Sequence, residues 1–570
     1  MTPLGKKLSF FENIAKTLTR AAFLVAVFTL LASFLGMIRD RMLAGYFGAG
    51  AELDSYYAAF RIPDFFYNTI LVGITSSAFL PVLTRYLHKP ERKADKLEKK
   101  ESSELFSFPR EAQEFVNSLV SILALGLFLI TSLLWLATPF VLRWIAPGFT
   151  SDQQETTAAL TRVMLLSPIF LSFSGMLGNI LNLKRFFFFY SLAPVVYNLG
   201  SIFAILVLVP IMGIMGLAWG IILGAVAHFS IQFFPAVFMG LKVKWQWKPY
   251  HPGISKVFKM MLPRSIHLGL LQSNLIIVTL LASTLPVGSL AVFNFANNLQ
   301  SLPLGIFGAS FAIAAFPTLS ILAAKKKTKE FREEFANIMC QILFFIIPLS
   351  VILIILRAQV VRLILGSGKF DWEDTILTFN VLGILAISLF AQSLNLLFIR
   401  AFFALHDTIT PLKSGVIGVV VNIFVGAAAV KYWQHFAPLW ENDAYLWGLK
   451  SPIIGLALAY SVSQIAMFVF LLVGLYDYLK GIDVRAIKKS LGKIALATLA
   501  AGGGVQLLKW GWGAVIPLST LPAVAGQIAI SGIIGVAIYL FICKILKSRE
   551  LTSLYNECPK ILRRKKIVPE

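Results

Sequence analysis

The sequence predicts an all-α polytopic membrane protein of about fourteen transmembrane helices. It expects two pseudo-symmetric six-helix lobes around a central cavity, plus two C-terminal helices. Three observations carry this. Of 570 residues, 57% are hydrophobic and 14% charged, whereas a soluble domain is about 25% charged. Apolar runs near the length needed to cross about 30 Å of hydrocarbon recur along the chain, without the short alternating segments of a barrel. Two halves of the sequence also resemble each other in order.

The apolar segments lie near residues 21–46, 55–84, 115–142, 158–182, 187–209, 213–240, 258–284, 288–322, 335–361, 376–404, 411–430, 452–476, 487–508 and 521–543. Lys6, Lys7, Lys16 and Arg20 precede the first. That run continues to Arg39 without a small-residue cleavage site, so a retained first helix is expected rather than a signal peptide. With the N-terminus inside, 39 of the 51 Lys and Arg fall in inside segments and 7 in outside ones. That bias places both termini in the cytoplasm.

Net charge is +23. Because the cations sit in loops, the excess reads as loop retention and contact with anionic membrane lipids. No basic–aromatic module supports nucleic-acid binding. The three cysteines make no disulfide framework, and the scattered histidines make no metal site. The longest polar loop, Arg85–Arg110, is too short for a catalytic domain. No nucleotide-binding glycine loop or carboxylate constellation is present, so neither an enzyme nor a cofactor is expected.

The repeat pairs Tyr57–Thr84 with Asn294–Ser320. Ala59, Arg61 and Ile62 align with Ala296, Asn298 and Leu299, and Ala78-Phe79 with Ala315-Phe316. Leu183–Pro194 similarly resembles Phe398–Pro411. Parallel six-helix repeats predict an N-lobe (1–248), a C-lobe (249–480), two extra helices (481–548) and a basic cytoplasmic tail (549–570).

The candidate site residues are charges set in apolar sequence, which usually face a cavity or a partner. Arg39, Asp40 and Arg41 close the first apolar run. Being about 20 residues and about 30 Å beyond Arg20, they also fit interfacial charges at the helix end. Neighbours on a helix diverge by about 100°, so Asp40 is expected to hold an arginine of another helix rather than Arg39. Ser33 lies on the same face as Asp40. Arg61 sits inside the second run, before Pro63. Asn297 and Asn298 occupy the pseudo-equivalent place in the eighth, as substrate contacts or interhelical glue. Arg264 stands near one end of the seventh, and Arg162 reads as interfacial. Several guanidinium groups with few carboxylates suit phosphate oxygens.

The ordered set Ser33, Leu35-Gly36, Arg39-Asp40, Phe47-Gly48-Ala49-Gly50, Asp54, Ala59-Phe60-Arg61-Ile62-Pro63, Ala78-Phe79, Pro81, Ala146-Pro147-Gly148-Phe149, Ile180-Leu181-Asn182, Pro194, Gly368-Lys369-Phe370, Asp407 and Thr410-Pro411 resembles the MurJ (MviN) family. These are lipid II flippases of the multidrug/oligosaccharidyl-lipid/polysaccharide exporter superfamily. The resemblance implies translocation of undecaprenyl-pyrophosphate-linked peptidoglycan precursor across the bacterial inner membrane by alternating access. It implies roles in lipid transport, cell-wall assembly and cell shape. Apart from the resemblance, a monomer is the expectation. By position, Ser33, Arg39 and Asp40 match functional residues. From their own place in apolar sequence, Arg61, Arg264 and Asn298 are expected as further substrate contacts. Asp54, Arg41 and Asn297 are supports. The chain departs from the pattern at Phe34, Tyr67-Asn68, Val72 and Asn297-Asn298, where the family commonly carries charges. Three alternatives stay open: a flippase for another polyprenyl-linked glycan, a small-molecule exporter of the superfamily, and a non-transporting scaffold.

Overall fold

The computed structural model describes residues 18–71, 79–87, 108–436, 450–481 and 484–555. Sixteen labels cover its principal helices. They are α1 (Leu18–Phe47), α2 (Ala51–Phe66, running into a π-helical turn at Tyr67–Leu71), α3 (Leu80–Leu87), α4 (Arg110–Ile145), α5 (Ser151–Leu183), α6 (Phe187–Met212), α7 (Met215–Phe238) and α8 (Pro252–Ser283). Then come α9 (Ser289–Ala324), α10 (Thr328–Ile364), α11 (Trp372–Ile387), α12 (Leu389–Ala404), α13 (Ile409–Phe436), α14 (Pro452–Leu479), α15 (Val484–Val515) and α16 (Leu521–Ile545). The described parts of the fourteen apolar segments fall on these helices. Ten helices among the described residues are individually long and apolar enough to cross a membrane. The pair α11 and α12, bent by 45°, makes an eleventh span.

Local chemistry sets the boundaries. Thr150 and Gln153 form a reciprocal capping box at the start of α5, satisfying amides a helix start leaves open. Asp371 accepts from the amide of Asp374 to begin α11. Pro252 and Pro452 occupy first helical positions, where the missing N–H costs nothing. Gly213, at φ +59, separates α6 from α7.

The chain forms two compact units, Met1–Leu290 and Ala291–Glu570. In the first, α6 packs on α1 and α7, α2 packs on α5, and α8 packs on α4, α2 and the π turn of Tyr67–Leu71. Its core gathers Phe66, Phe79, Phe115, Leu119, Leu181 and Phe186. In the second, α13 packs on α14, and α10 and α16 pack on α15. Phe331, Phe335, Phe344, Phe398, Phe402 and Tyr539 form its centre.

Between α7 and α8 the chain runs along α4. The amides of Lys242, Lys244 and Gln246 donate to the side chains of Gln113, Asn117 and Ser121 at 3.0, 3.2 and 2.8 Å. Two extended residues advance about 6.6 Å and four helical residues about 6 Å, so the two periods match. Lys248 Nζ closes the ladder on Glu114 at 3.0 Å.

π-helical turns recur at equivalent places. Tyr67–Leu71 in α2 and Leu304–Ala309 in α9 stand at the offset that aligns Arg61 with Asn298. Such wide turns concentrate at functional sites.

Candidate substrate site

Arg39 and Asp40 pair with each other, which corrects the expectation that adjacent residues diverge too far. Nε and Nη2 of Arg39 both donate to Asp40 Oδ1, at 3.0 and 2.8 Å. The Cβ directions do diverge, but the long arginine side chain folds back far enough to close the gap. Asp40 is 6% exposed and therefore interior to the first unit, rather than an interfacial charge in water.

A third donor, Nη1, reaches Oδ1 of Asn198 on α6 at 3.4 Å. Asn198 is itself fixed, since its Nδ2 donates to the carbonyls of Ala32 and Pro194, both at 3.1 Å. A guanidinium has five N–H donors. Two of those on Arg39, one on each Nη, meet no acceptor among the described residues. The side chain of Arg39 is 24% exposed. The arrangement is a guanidinium braced by Asp40 and Asn198, with two N–H groups left for a second anion.

Ser33 does not join this pair. Its hydroxyl donates back to the carbonyl of Thr29 at 3.0 Å. Phe34 is exposed, at 55%. Arg41 is half-buried on α1.

Arg61 is 7% exposed, and its Nε donates to Thr279 Oγ1 on α8 at 2.7 Å. Thr279 passes its own proton to the carbonyl of Leu275 at 2.9 Å. Asp54, also buried, accepts from the amide of Gly288 at 2.6 Å. Gly288 has φ +90, and a Cβ there would lie 2.0 Å from the carbonyl oxygen of Ala49. A Cβ on Gly148 would fall 2.2 Å from the carbonyl oxygen of Ser283, whose hydroxyl accepts from the Gly148 amide at 3.2 Å. The glycine-bearing loops at 48–50 and 146–149 therefore close on the end of α8. That is a packing reason for those residue types.

Sequence reasoning missed Asp64, Tyr56, Tyr57 and Tyr197. Tyr56 and Tyr57 are buried beside the Arg39–Asp40 pair, Tyr197 on α6 lies within the field of Arg39, and Asp64 lies one turn beyond Arg61 and within its field. The cluster of charge and phenol in α2 was the available signal.

In the second unit the equivalent region is neutral. Asn297 Oδ1 accepts from Gln300 at 3.0 Å. Gln392 then links Gln300 at 3.3 Å to Ser388 at 3.0 Å, and Ser388 reaches Ser461 at 3.2 Å. This chain of amides and hydroxyls ties α9, α12 and α14. Asn298 is half-buried, and its carbonyl accepts from Ser301. Arg162 lies over the Trp135 ring at 4.8 Å. Arg264 belongs to α8, and its side chain lies outside the described residues.

A polytopic helical fold in two units, with an arginine–aspartate pair inside the first, defines a multi-pass membrane transporter. Its fold matches two solved transporters. One is a lipid II flippase MurJ in an inward closed conformation, with a TM-score of 0.71 at 23% identity, covering 92% of this chain and 98% of that one. The other is an inward-facing multidrug resistance MATE family transporter of the MOP superfamily, with a TM-score of 0.59 at 16% identity, covering 79% and 95%.

This chain belongs to the family described as lipid II flippase MurJ, whose sequence profile matches residues 43–524. A probable lipid II flippase MurJ of Vibrio cholerae is 27% identical over 558 residues, covering 95% of this chain and 98% of the relative. One of Rhizobium tropici is 26% identical over 531 residues, covering 91% and 92%.

Proposed function

We propose that this protein is a lipid II flippase. It moves the polyprenyl-pyrophosphate-linked peptidoglycan precursor from the inner to the outer leaflet of a bacterial inner membrane, and it makes or breaks no covalent bond. The carrying observation is the guanidinium of Arg39, held by Asp40 and Asn198 with one N–H of each Nη unspent. Those two donors suit pyrophosphate oxygens. Ser33, Arg61, Arg264 and Asn298 complete the substrate contacts, and Asp54, Arg41 and Asn297 support them. The Arg39 pair supplies anion grip that the neutral Asn297–Gln300 region does not.

The moving parts are an N-lobe (1–248) and a C-lobe (249–480), followed by two helices (481–548) and a tail (549–570), in a single chain with both termini cytoplasmic. The repeat assigns α8 to the C-lobe, while its contacts lie with α2 and α4. Alternating access then requires the Arg61–Thr279, Gly148–Ser283 and Asp54–Gly288 contacts to open and reform.

The test is rescue of a bacterium depleted of its lipid II flippase, read as appearance of labelled precursor in the outer leaflet. Rescue that is lost on Arg39→Ala, at unchanged membrane abundance, is expected. Full growth with Arg39→Ala at normal expression would remove Arg39 from the site. Failure of the inserted wild-type protein to export precursor would remove the flippase assignment.

A further inference from the structure

A cavity rich in cations lies toward the C-terminal end of the described chain. Where α10 and α15 begin and α16 ends, a cavity of about 720 Å³ opens within the second unit. Its size falls in the range of small-ligand sites, about 300–1,000 Å³. Lys489, Lys493, Lys547 and Arg549 line it, against Glu334 and Glu550. Glu550 is 7% exposed, and its two oxygens accept from the hydroxyls of Ser490 and Ser548. That carboxylate pins the segment after α16 onto α15. Lys493 Nζ is also committed, to the carbonyl of Lys547 at 2.9 Å. The side chains of Lys489, Lys547 and Arg549 have no partner among the described residues.

Three exposed cations without a protein partner line one cavity and give it a positive potential that favours an anion. Ala336, Ile338 and Ile487 supply an apolar wall beside them, so the lining matches an amphiphile better than a fully hydrated anion. The sequence beyond adds Lys560, Arg563, Arg564, Lys565 and Lys566, of the same sign. Clustered cations next to a membrane helix attract anionic lipid.

We propose that this cavity binds the phosphodiester headgroup of an anionic phospholipid from the adjoining leaflet. Arg549 offers a two-pronged donor to the phosphate oxygens, and the lysines act as point charges. The occupant is a resident lipid, which holds the post-α16 segment against α10 and α15.

Native mass spectrometry of the full-length protein in detergent tests this, with dioctanoyl phosphatidylglycerol, dioctanoyl phosphatidylcholine and glycerol 3-phosphate as probes. Preferential retention of one phosphatidylglycerol is expected. The triple variant Lys489→Gln/Lys547→Gln/Arg549→Gln should bind it at least about tenfold more weakly. The control Lys488→Gln/Lys544→Gln, exposed lysines on α15 and α16 outside the cavity, should bind as wild type does. Equal affinity in the triple variant and wild type, or equal loss in the triple variant and control, would overturn the proposal. Displacement of phosphatidylglycerol by equimolar glycerol 3-phosphate would reassign the cavity to a soluble phosphate. Arg549→Gln alone shifts affinity in the same direction if the triple variant does not survive purification.

Discussion

Arg61 donates from Nε to the hydroxyl of Thr279 at 2.7 Å, so the buried cation of α2 ends on α8. Thr279 is fully buried. Thr279→Val keeps the shape and removes the acceptor. Unfolding in a fixed detergent should show a loss of about 1–3 kcal/mol, the cost of a buried donor left without its partner. Thr279→Ser keeps the oxygen and should behave nearly as wild type.

Arg39 is expected to be irreplaceable by lysine. An ammonium has no planar fork with which to hold Asp40 Oδ1 twice and still present two further donors. In the outer-leaflet assay, Arg39→Lys should lower precursor export by about tenfold or more, matching one lost charge-assisted hydrogen bond of about 1.5–3 kcal/mol. Export at wild-type rate would show that charge alone suffices.

Gly288 and Gly213 both have positive φ, yet their substitutions should differ sharply. At Gly288 an added Cβ meets the Ala49 carbonyl at 2.0 Å, while nothing lies within 4 Å at Gly213. Gly288→Ala should abolish recovery of monodisperse protein after extraction. Gly213→Ala should cost only the backbone term, about 1–3 kcal/mol for a side chain held at φ +59 and ψ −144. Similar yields of the two would contradict the close approach.

Asp407 should make stability fall in acid. Burial pushes its carboxyl up from the ordinary value of 3.8, but hydrogen bonds from the Thr410 hydroxyl and from the amides of Thr410 and Ile409 pull it below that value, with help from Lys413. A lowered carboxyl stabilises the fold fully above its unfolded value, so the contribution is complete above about pH 5. It is lost as pH falls through the folded value. The stability gap between wild type and Asp407→Asn should therefore be constant near neutrality and shrink below about pH 4.

The helices were legible because an apolar run of about twenty residues has few other solutions in a bilayer. Family membership was legible from ordered motifs such as Ala146-Pro147-Gly148-Phe149. The site was legible only as a set of charges. Asn198 braces Arg39 from 159 residues away, and no local pattern encodes that distance. The Arg39–Asp40 pair was missed for a different reason: a 100° separation was treated as decisive, although it fixes Cβ directions and not the reach of a flexible side chain. Tyr56, Tyr57 and Tyr197 were missed because aromatic residues in a membrane helix ordinarily signify packing.

The ladder of Lys242, Lys244 and Gln246 on α4 has one more effect. It leaves Trp245 and Trp247 on a shared side of the strand, 68% and 52% exposed. Indole rings settle where acyl chains meet headgroups, and these two cannot retreat, because the amides flanking them are spoken for. They work as a float on a rigid outrigger: wherever the headgroup layer lies, the ladder carries its height to α4. Two indoles seated among headgroups would thus pass their height to α4 through three backbone hydrogen bonds.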